Sequence, residues 1–215
     1  METPLFETHD LCFGGFLAYP DLALADGRTT FVMGESGSGK STLLKLCNAT
    51  LSPSSGQILF RGVDVESWDA LQLRRRVCLI SQSVFLFDDT IRENFRLFYQ
   101  YRDLTPPGDD VIRAFLDLCL IDLPVDNPCA TLSGGERQRV YTALFLSFSP
   151  EVILLDEPTS ALDALNSRAL FQNLLSYCAE NSISAVAVSH DRALAEEFAQ
   201  EIVELPPGAL RGERI

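Results

Sequence analysis

The sequence predicts an α/β fold with a mostly parallel central sheet. Three observations carry that expectation. Short apolar runs, TTFVM, VCLIS, VILLD and SAVAVS, read as strands buried on both faces. They alternate with stretches of helical spacing, the pattern of βα units. Between Gln82 and about Ala130 the texture changes: Phe and Tyr crowd together, TPPG breaks the chain, and Val111, Phe115 and Leu118 recur at helical spacing. That segment reads as a helical insert.

In order, TTFVMGES is a buried strand running into a glycine loop, and KSTLLKLCNA is the helix after it. SPSSG is a turn and QILFRGVDV a strand region. Ser67 is placed to cap a short helix, WDALQLRRR. VCLIS is a further strand, followed by the insert. A helix starts at LSGGERQRV, and VILLD is the next strand. A long helix follows Asp163. SAVAVS, a helix DRALAEEFA and a last strand EIVEL complete the chain.

The bulk numbers narrow the function. A chain of 215 residues suits one domain, or a domain with a sub-lobe, and 47% hydrophobic residues supply an ample core. No apolar run nears the roughly 20 residues of a membrane span. The start, METPLFETHD, is acidic and lacks the build of a secretory signal. A soluble cytoplasmic protein is expected. The net charge of −13 argues against binding nucleic acid or anionic membrane; Arg74, Arg75 and Arg76 read as a solvated helix end. Cys12, Cys47, Cys78, Cys119, Cys129 and Cys178 have no CxxC spacing and mostly apolar neighbours, so buried thiols are expected rather than disulfides or a zinc site.

Two stretches look like anion cradles. Gly34 to Ser41, GESGSGKS, fits G-x-x-x-x-G-K-[ST] between a strand and a helix. Gly34, Gly37 and Gly39 let the backbone curl so that N–H groups point at phosphate oxygens. Lys40 carries charge to the β- and γ-phosphates of a nucleotide, and Ser41 offers a hydroxyl to Mg²⁺. The second stretch, LSGGE, has a serine, two glycines and an acid at a helix start, where free N–H groups and about half a positive charge favour an anion.

Other candidates follow the strands. Asp156 and Glu157 stand at the carboxyl end of VILLD, the edge where open α/β sheets bind ligands. Asp156 suits a magnesium holder, usually through water, and Glu157 a base that orients the attacking water. Gln82 after VCLIS and His190 after SAVAVS surface at the same edge. Gln82 can bond the attacking water or the metal shell, and His190 the γ-phosphate.

Taken together, GESGSGKST, the glutamine of ISQSVFLFDDTIRENF, LSGGERQRV, VILLDEPTSALD and SHD resemble the ATPase cassette of ABC transporters over nearly the whole chain. The resemblance implies a P-loop NTPase core with a mostly parallel sheet, a small antiparallel β region and a helical sub-lobe. In residues, it implies a core lobe of 1–82 and 146–215 and a signature sub-lobe of 83–145 within one domain. It implies an ATP hydrolase with ATP and Mg²⁺ as ligands. The nucleotide would lie on Gly34, Glu35, Ser36, Gly37, Ser38, Gly39, Lys40, Ser41 and Thr42. Lys40, Gln82, Glu157 and His190 would serve catalysis, and Ser41, Gln82 and Asp156 the metal.

The resemblance also answers why one chain has two cradles. Ser133, Gly134, Gly135 and Glu136 would meet the γ-phosphate held by a second cassette, head to tail, with Asp163 coupling the two sites across the interface. A homodimer and a separate transmembrane permease subunit are implied as partners, with the chain peripheral on the inner face of the membrane. Phe85, Phe87, Phe95, Phe98, Tyr99 and Tyr101 supply either core or a docking surface for that subunit. A DNA-repair or translation ATPase is the alternative, which the short gap between the cradles and the acidic charge disfavour. SPSSGQILFRGVDV, LFDDTIREN and the short insert further resemble small iron-export-type cassettes, which implies a metal ion such as iron as cargo.

Two departures stand out. Adenine in this family stacks on an aromatic before the phosphate loop; here that region, LCFGGFLAYPDLALADG, is shortened, with Phe13 the first choice and Phe16 the second. Many cassettes carry an arginine near Leu144, where this chain is apolar throughout, ALFLSFSP.

Overall fold

The computed structural model describes residues 3–207. In chain order its strands are β1 (Phe6–Phe13), β2 (Leu17–Ala18), β3 (Ala23–Leu24), β4 (Thr29–Met33), β5 (Ser55–Phe60), β6 (Val63–Asp64), β7 (Val77–Ile80), β8 (Val152–Asp156), β9 (Ser184–Val188) and β10 (Glu201–Glu204). Its helices are α1 (Lys40–Cys47), α2 (Ala70–Arg76), α3 (Ile91–Gln100), α4 (Asp109–Leu118), α5 (Gly134–Leu146), α6 (Ala164–Glu180) and α7 (Arg192–Phe198).

Two sheets form. The parallel sheet has the order β10-β4-β9-β8-β7. Every residue of β8 and β9 is buried, which is why both read as unbroken apolar runs. The smaller sheet is antiparallel: β1 pairs with β2, β3 and β5, and β6 adds to β5. The expected α/β class, with a parallel sheet and a small antiparallel one, is therefore present.

The chain divides into two compact units. One comprises residues 1–79, 150–157 and 178–215, the other residues 80–149 and 158–177. In the first, Leu43 and Leu44 of α1, Phe6 of β1, Phe60 of β5 and Leu154 of β8 join one buried core. In the second, α4 packs on α5, and Ile112, Leu116, Val140, Leu144 and Leu146 are buried. Leu144 is fully buried, which suits the apolar residue found there.

One local expectation needs correction. Ser67 does not cap α2. The chain runs extended through Trp68, and the Asp69 carboxylate accepts from the Gln72 N–H at 2.9 Å as the cap, while Ser67 Oγ donates to the Asp64 carbonyl. The Trp68 ring sets this offset by packing on Phe60, 5.8 Å between centroids, and beneath the Arg76 guanidinium. The strand region QILFRGVDV folds as the hairpin of β5 and β6. Arg61 and Gly62 both take positive φ, 46° and 77°, the demand of a two-residue turn whose twist matches its strands.

All six cysteines are buried. Among the described residues no helix is long and apolar enough to cross a membrane.

Candidate functional site

The first cradle forms between β4 and α1. Gly34, Gly37 and Gly39 have φ of 149°, 82° and 91°, and a Cβ on Gly34 would lie 2.8 Å from the Leu205 carbonyl oxygen. Glycine is thus required by backbone conformation and, at Gly34, by space. Gly39 is the N-cap of α1 and has no side chain to cap it, which leaves the first-turn N–H groups to an anion. Ser38 Oγ is buried and has no hydrogen-bond partner, a further polar atom that a phosphate oxygen would satisfy. Lys40 is folded back, its Nζ donating to the Gly34 and Glu35 carbonyls at 2.8 Å each. Burial lowers the Lys40 pKa, opposed by the charges of Glu157 and Asp156. Glu35, Ser36 and Gly37 are exposed at the loop's tip, and Thr42 lies in the first turn of α1.

The sheet supplies the carboxylates. Two strand spacings, about 10 Å, separate β4 from β8, because β9 lies between them. Ser41, one residue into α1, closes that gap: its hydroxyl donates to Asp156 Oδ1 at 2.8 Å. Asp156 is 4% exposed, and burial raises its pKa; the Ser41 bond and the nearby lysines lower it, while Glu157 adds to the rise. A buried carboxylate beside a hydroxyl is a fitting donor pair for a hard divalent cation.

The β8–β9 register then brings Glu157 and His190 together. Asp156 pairs with Val188, and the Glu157 N–H donates to the Val188 carbonyl at 3.1 Å. His190 follows Val188 by two residues, and its Nε2 lies 2.6 Å from Glu157 Oε1. Glu157 has φ 53°, a conformation that costs a non-glycine residue about 1 kcal/mol or more and that this pairing holds in place. Lys40, Ser41, Asp156, Glu157 and His190 all belong to the first unit. Phe13 and Phe16 belong to it as well, flanking the turn at Gly14 and Gly15; their rings meet edge to face at 6.4 Å, with Phe13 half-buried and Phe16 48% exposed.

The second cradle lies in the other unit, at the start of α5. Ser133 is the N-cap of a full capping box: its N–H and hydroxyl donate to Glu136 Oε2 at 2.8 and 2.6 Å, and the Glu136 N–H returns a bond to Ser133 Oγ. Those bonds lower the Glu136 pKa. Ser133 and Gly134 are exposed. A Cβ on Gly135 would meet the Ala161 Cβ at 3.0 Å, so glycine here permits the TSALD segment to pack on the signature helix. Asp163 caps the start of α6, accepting from the Asn166 backbone and side chain at 3.0 and 2.6 Å. Gln82 follows β7 in this unit and is exposed.

The sequence reading missed the residues that brace this cradle. Asn94 is fully buried; its amide accepts from the Phe87 N–H and donates to the Phe87 and Thr90 carbonyls. Arg137 donates to the Cys129 and Leu86 carbonyls, tying α5 to the loop after Gln82. The available signal was Asn94 falling three residues after Ile91 and beside Phe95, on the apolar face of α3. The aromatic residues divide between roles: Phe95 and Tyr99 are core, whereas Phe85 and Tyr101 are 61% and 69% exposed.

Known proteins bear on this geometry. Residues 17–160 match the family described as ABC transporter. The chain is 37% identical, over 88% of its length and 84% of the relative's, to the probable iron export ATP-binding protein FetA of Escherichia coli (strain K12). It is 36% identical to the phosphonates import ATP-binding protein PhnC of Chromohalobacter salexigens, over 87% of this chain and 74% of that one. The fold overlays cbiO1 of Clostridium perfringens, part of the ABC transporter complex cbiONQ, with a TM-score of 0.81, 24% identity and coverage of 97% and 87%. It also overlays a bacterial Atm1-family ABC exporter with ATP bound, TM-score 0.84 and 25% identity, across 98% of this chain and 38% of that one. The chain belongs to the ABC transporter family as an ATP-binding, ATP-hydrolysing cassette.

Proposed function

We propose that the chain is the motor subunit of a membrane transporter, in which two copies pair head to tail around ATP and drive a separate membrane-spanning subunit. The observation that carries this reading is the presence of two anion cradles in one chain, one beside Asp156 and Glu157 and one at the Ser133 capping box. One γ-phosphate gives no reason for both; a second copy does.

Lys40 exchanges its bonds to the Gly34 and Glu35 carbonyls for the β- and γ-phosphates. Ser41 and, through water, Asp156 would hold Mg²⁺; the ion would offset phosphate charge. Among the described residues no cluster of three or more His, Cys, Asp or Glu is placed to hold a metal, which fits an ion bound mainly by phosphate and water. Glu157 orients the attacking water, and His190 turns from Glu157 to the γ-phosphate. From the other copy, Ser133 gives up its bond to Glu136, Gly134 and Gly135 add backbone N–H groups, and Asp163 couples the two centres. Adenine stacks on Phe13, with Phe16 beside it.

Exposed Phe85 and Tyr101 pack against half-buried Phe87, at 4.9 and 6.0 Å, and form an apolar patch for the membrane subunit. Such docking would hold the chain on the cytoplasmic face. The cargo we propose is a metal ion such as iron, moved outward; the relative named for iron export supports it. Purification from native membranes tests the assignment, and a hydrophobic subunit is expected to accompany the chain. Inside-out vesicles carrying that pair should take up Fe²⁺ when ATP is added. Phosphonate transport instead would overturn the cargo, and nucleic acid in place of a membrane subunit would overturn the transporter.

A further inference from the structure

The phosphate loop has a neighbour that its motif does not include. Tyr19 stands twenty positions before Gly39, and its hydroxyl donates to the Gly39 carbonyl at 2.9 Å. Its backbone N–H donates to the Leu11 carbonyl of β1, so the residue is fastened at both ends. Only 7% of it is exposed. A Cβ on Gly39 would lie 2.7 Å from the Tyr19 oxygen and 3.3 Å from Leu17 Cδ1, so this side of the loop is filled by that pair of residues.

The Gly39 carbonyl is the pivot of the cradle. It accepts from the Leu43 N–H at 2.8 Å as the first bond of α1 and from Tyr19 as well, so both of its lone pairs are engaged. The peptide that follows is planar and trans, so its N–H, that of Lys40, points opposite to its C=O. Fixing the carbonyl toward Tyr19 and α1 fixes the Lys40 N–H toward the anion side. At φ 91° Gly39 has no side chain of its own to define that peptide's tilt. We propose that Tyr19 is a positioning residue for nucleotide binding: its hydroxyl ties the antiparallel sheet to Gly39 and sets the direction of the N–H groups that receive the phosphates. The role rests on the phosphate-loop reading above, and acts through the loop rather than by touching the nucleotide.

Tyr19→Phe keeps the ring and removes the hydroxyl. Calorimetry should compare the variant with wild type for MgATP and for inorganic triphosphate with Mg²⁺, alongside Lys40→Ala. Both dissociation constants are expected to rise together in Tyr19→Phe, by about fivefold for one lost neutral hydrogen bond. KM should rise with them while kcat holds. Unchanged affinities would overturn the proposal even if the melting temperature fell, because Tyr19 would then be core packing only. A loss confined to MgATP would also overturn it, since the effect would lie at the base. Lys40→Ala separates the premises: triphosphate binding that survives it would defeat the phosphate-loop reading itself.

Discussion

Asp156 meets opposed demands. On the proposed scheme its carboxylate would hold a cation and so must be charged, yet it is buried, and burial raises its pKa above the unfolded value of about 4. A raised carboxylate pKa makes the charged form a cost to the folded state at every pH above that raised value. The cost fades as pH falls through it and is gone below the unfolded value. Asp156→Asn removes the charge and keeps an acceptor for Ser41. The nucleotide-free variant should therefore melt higher than wild type at pH 7 and match it near pH 4, while Mg²⁺-dependent turnover falls. Thermal melts across that range check the sign; a lower melting temperature at pH 7 would contradict it. Glu157→Gln is the complementary change. The amide still fits the pairing that holds φ at 53°, but cannot act as a base. Turnover should drop by about a hundredfold or more with ATP affinity kept, as measured by phosphate release and nucleotide titration.

At the scale of elements, legibility followed the range over which the determinants act. β8 and β9 announced themselves because strands buried on both faces are apolar throughout, and their edge residues, Asp156, Glu157 and His190, could be placed by counting. The phosphate loop was legible because its glycines answer a local backbone demand. The cap of α2 was misassigned since the Trp68 ring, packing on Phe60, decides where that helix begins. β2 and β3, of two residues each, lack the length to show a period. Tyr19 and Asn94 were missed because their partners are set by tertiary approach rather than spacing. Asn94 offers a test at this scale. Its side chain stands in for backbone pairing in the loop at Phe87, where an irregular turn is held inside the unit. Asn94→Ala would orphan the Phe87 N–H, while the Phe87 carbonyl keeps its bond from the Asp89 N–H; the cost should be about 2 kcal/mol. The denaturation midpoint should fall accordingly, with ATP affinity unchanged because the phosphate loop belongs to the other unit.

The whole molecule carries a net charge of −13, and two copies repel. Association on the proposed scheme therefore depends on short-range bridging: each γ-phosphate joins the Lys40 loop of one copy to the Ser133 cradle of the other. Ionic strength separates the two contributions. At 0.01 M salt the screening length is about 30 Å, so repulsion acts over the whole body; at 0.15 M it is about 8 Å, and only groups near contact feel each other. The bridging phosphate, in contact with both cradles, is screened far less. Glu157→Gln, which keeps ATP intact, should thus dimerise more tightly as salt rises over that range, and should stay monomeric without nucleotide. Sedimentation at several salt concentrations reads both effects. An interface built instead on surface ion pairs, such as those of Arg92 with Asp109 and Asp126, would weaken as salt rises. A dimer that forms without ATP, or one that salt dissociates, would mean that the acidic surfaces meet through complementary charge and that the nucleotide is not the bridge.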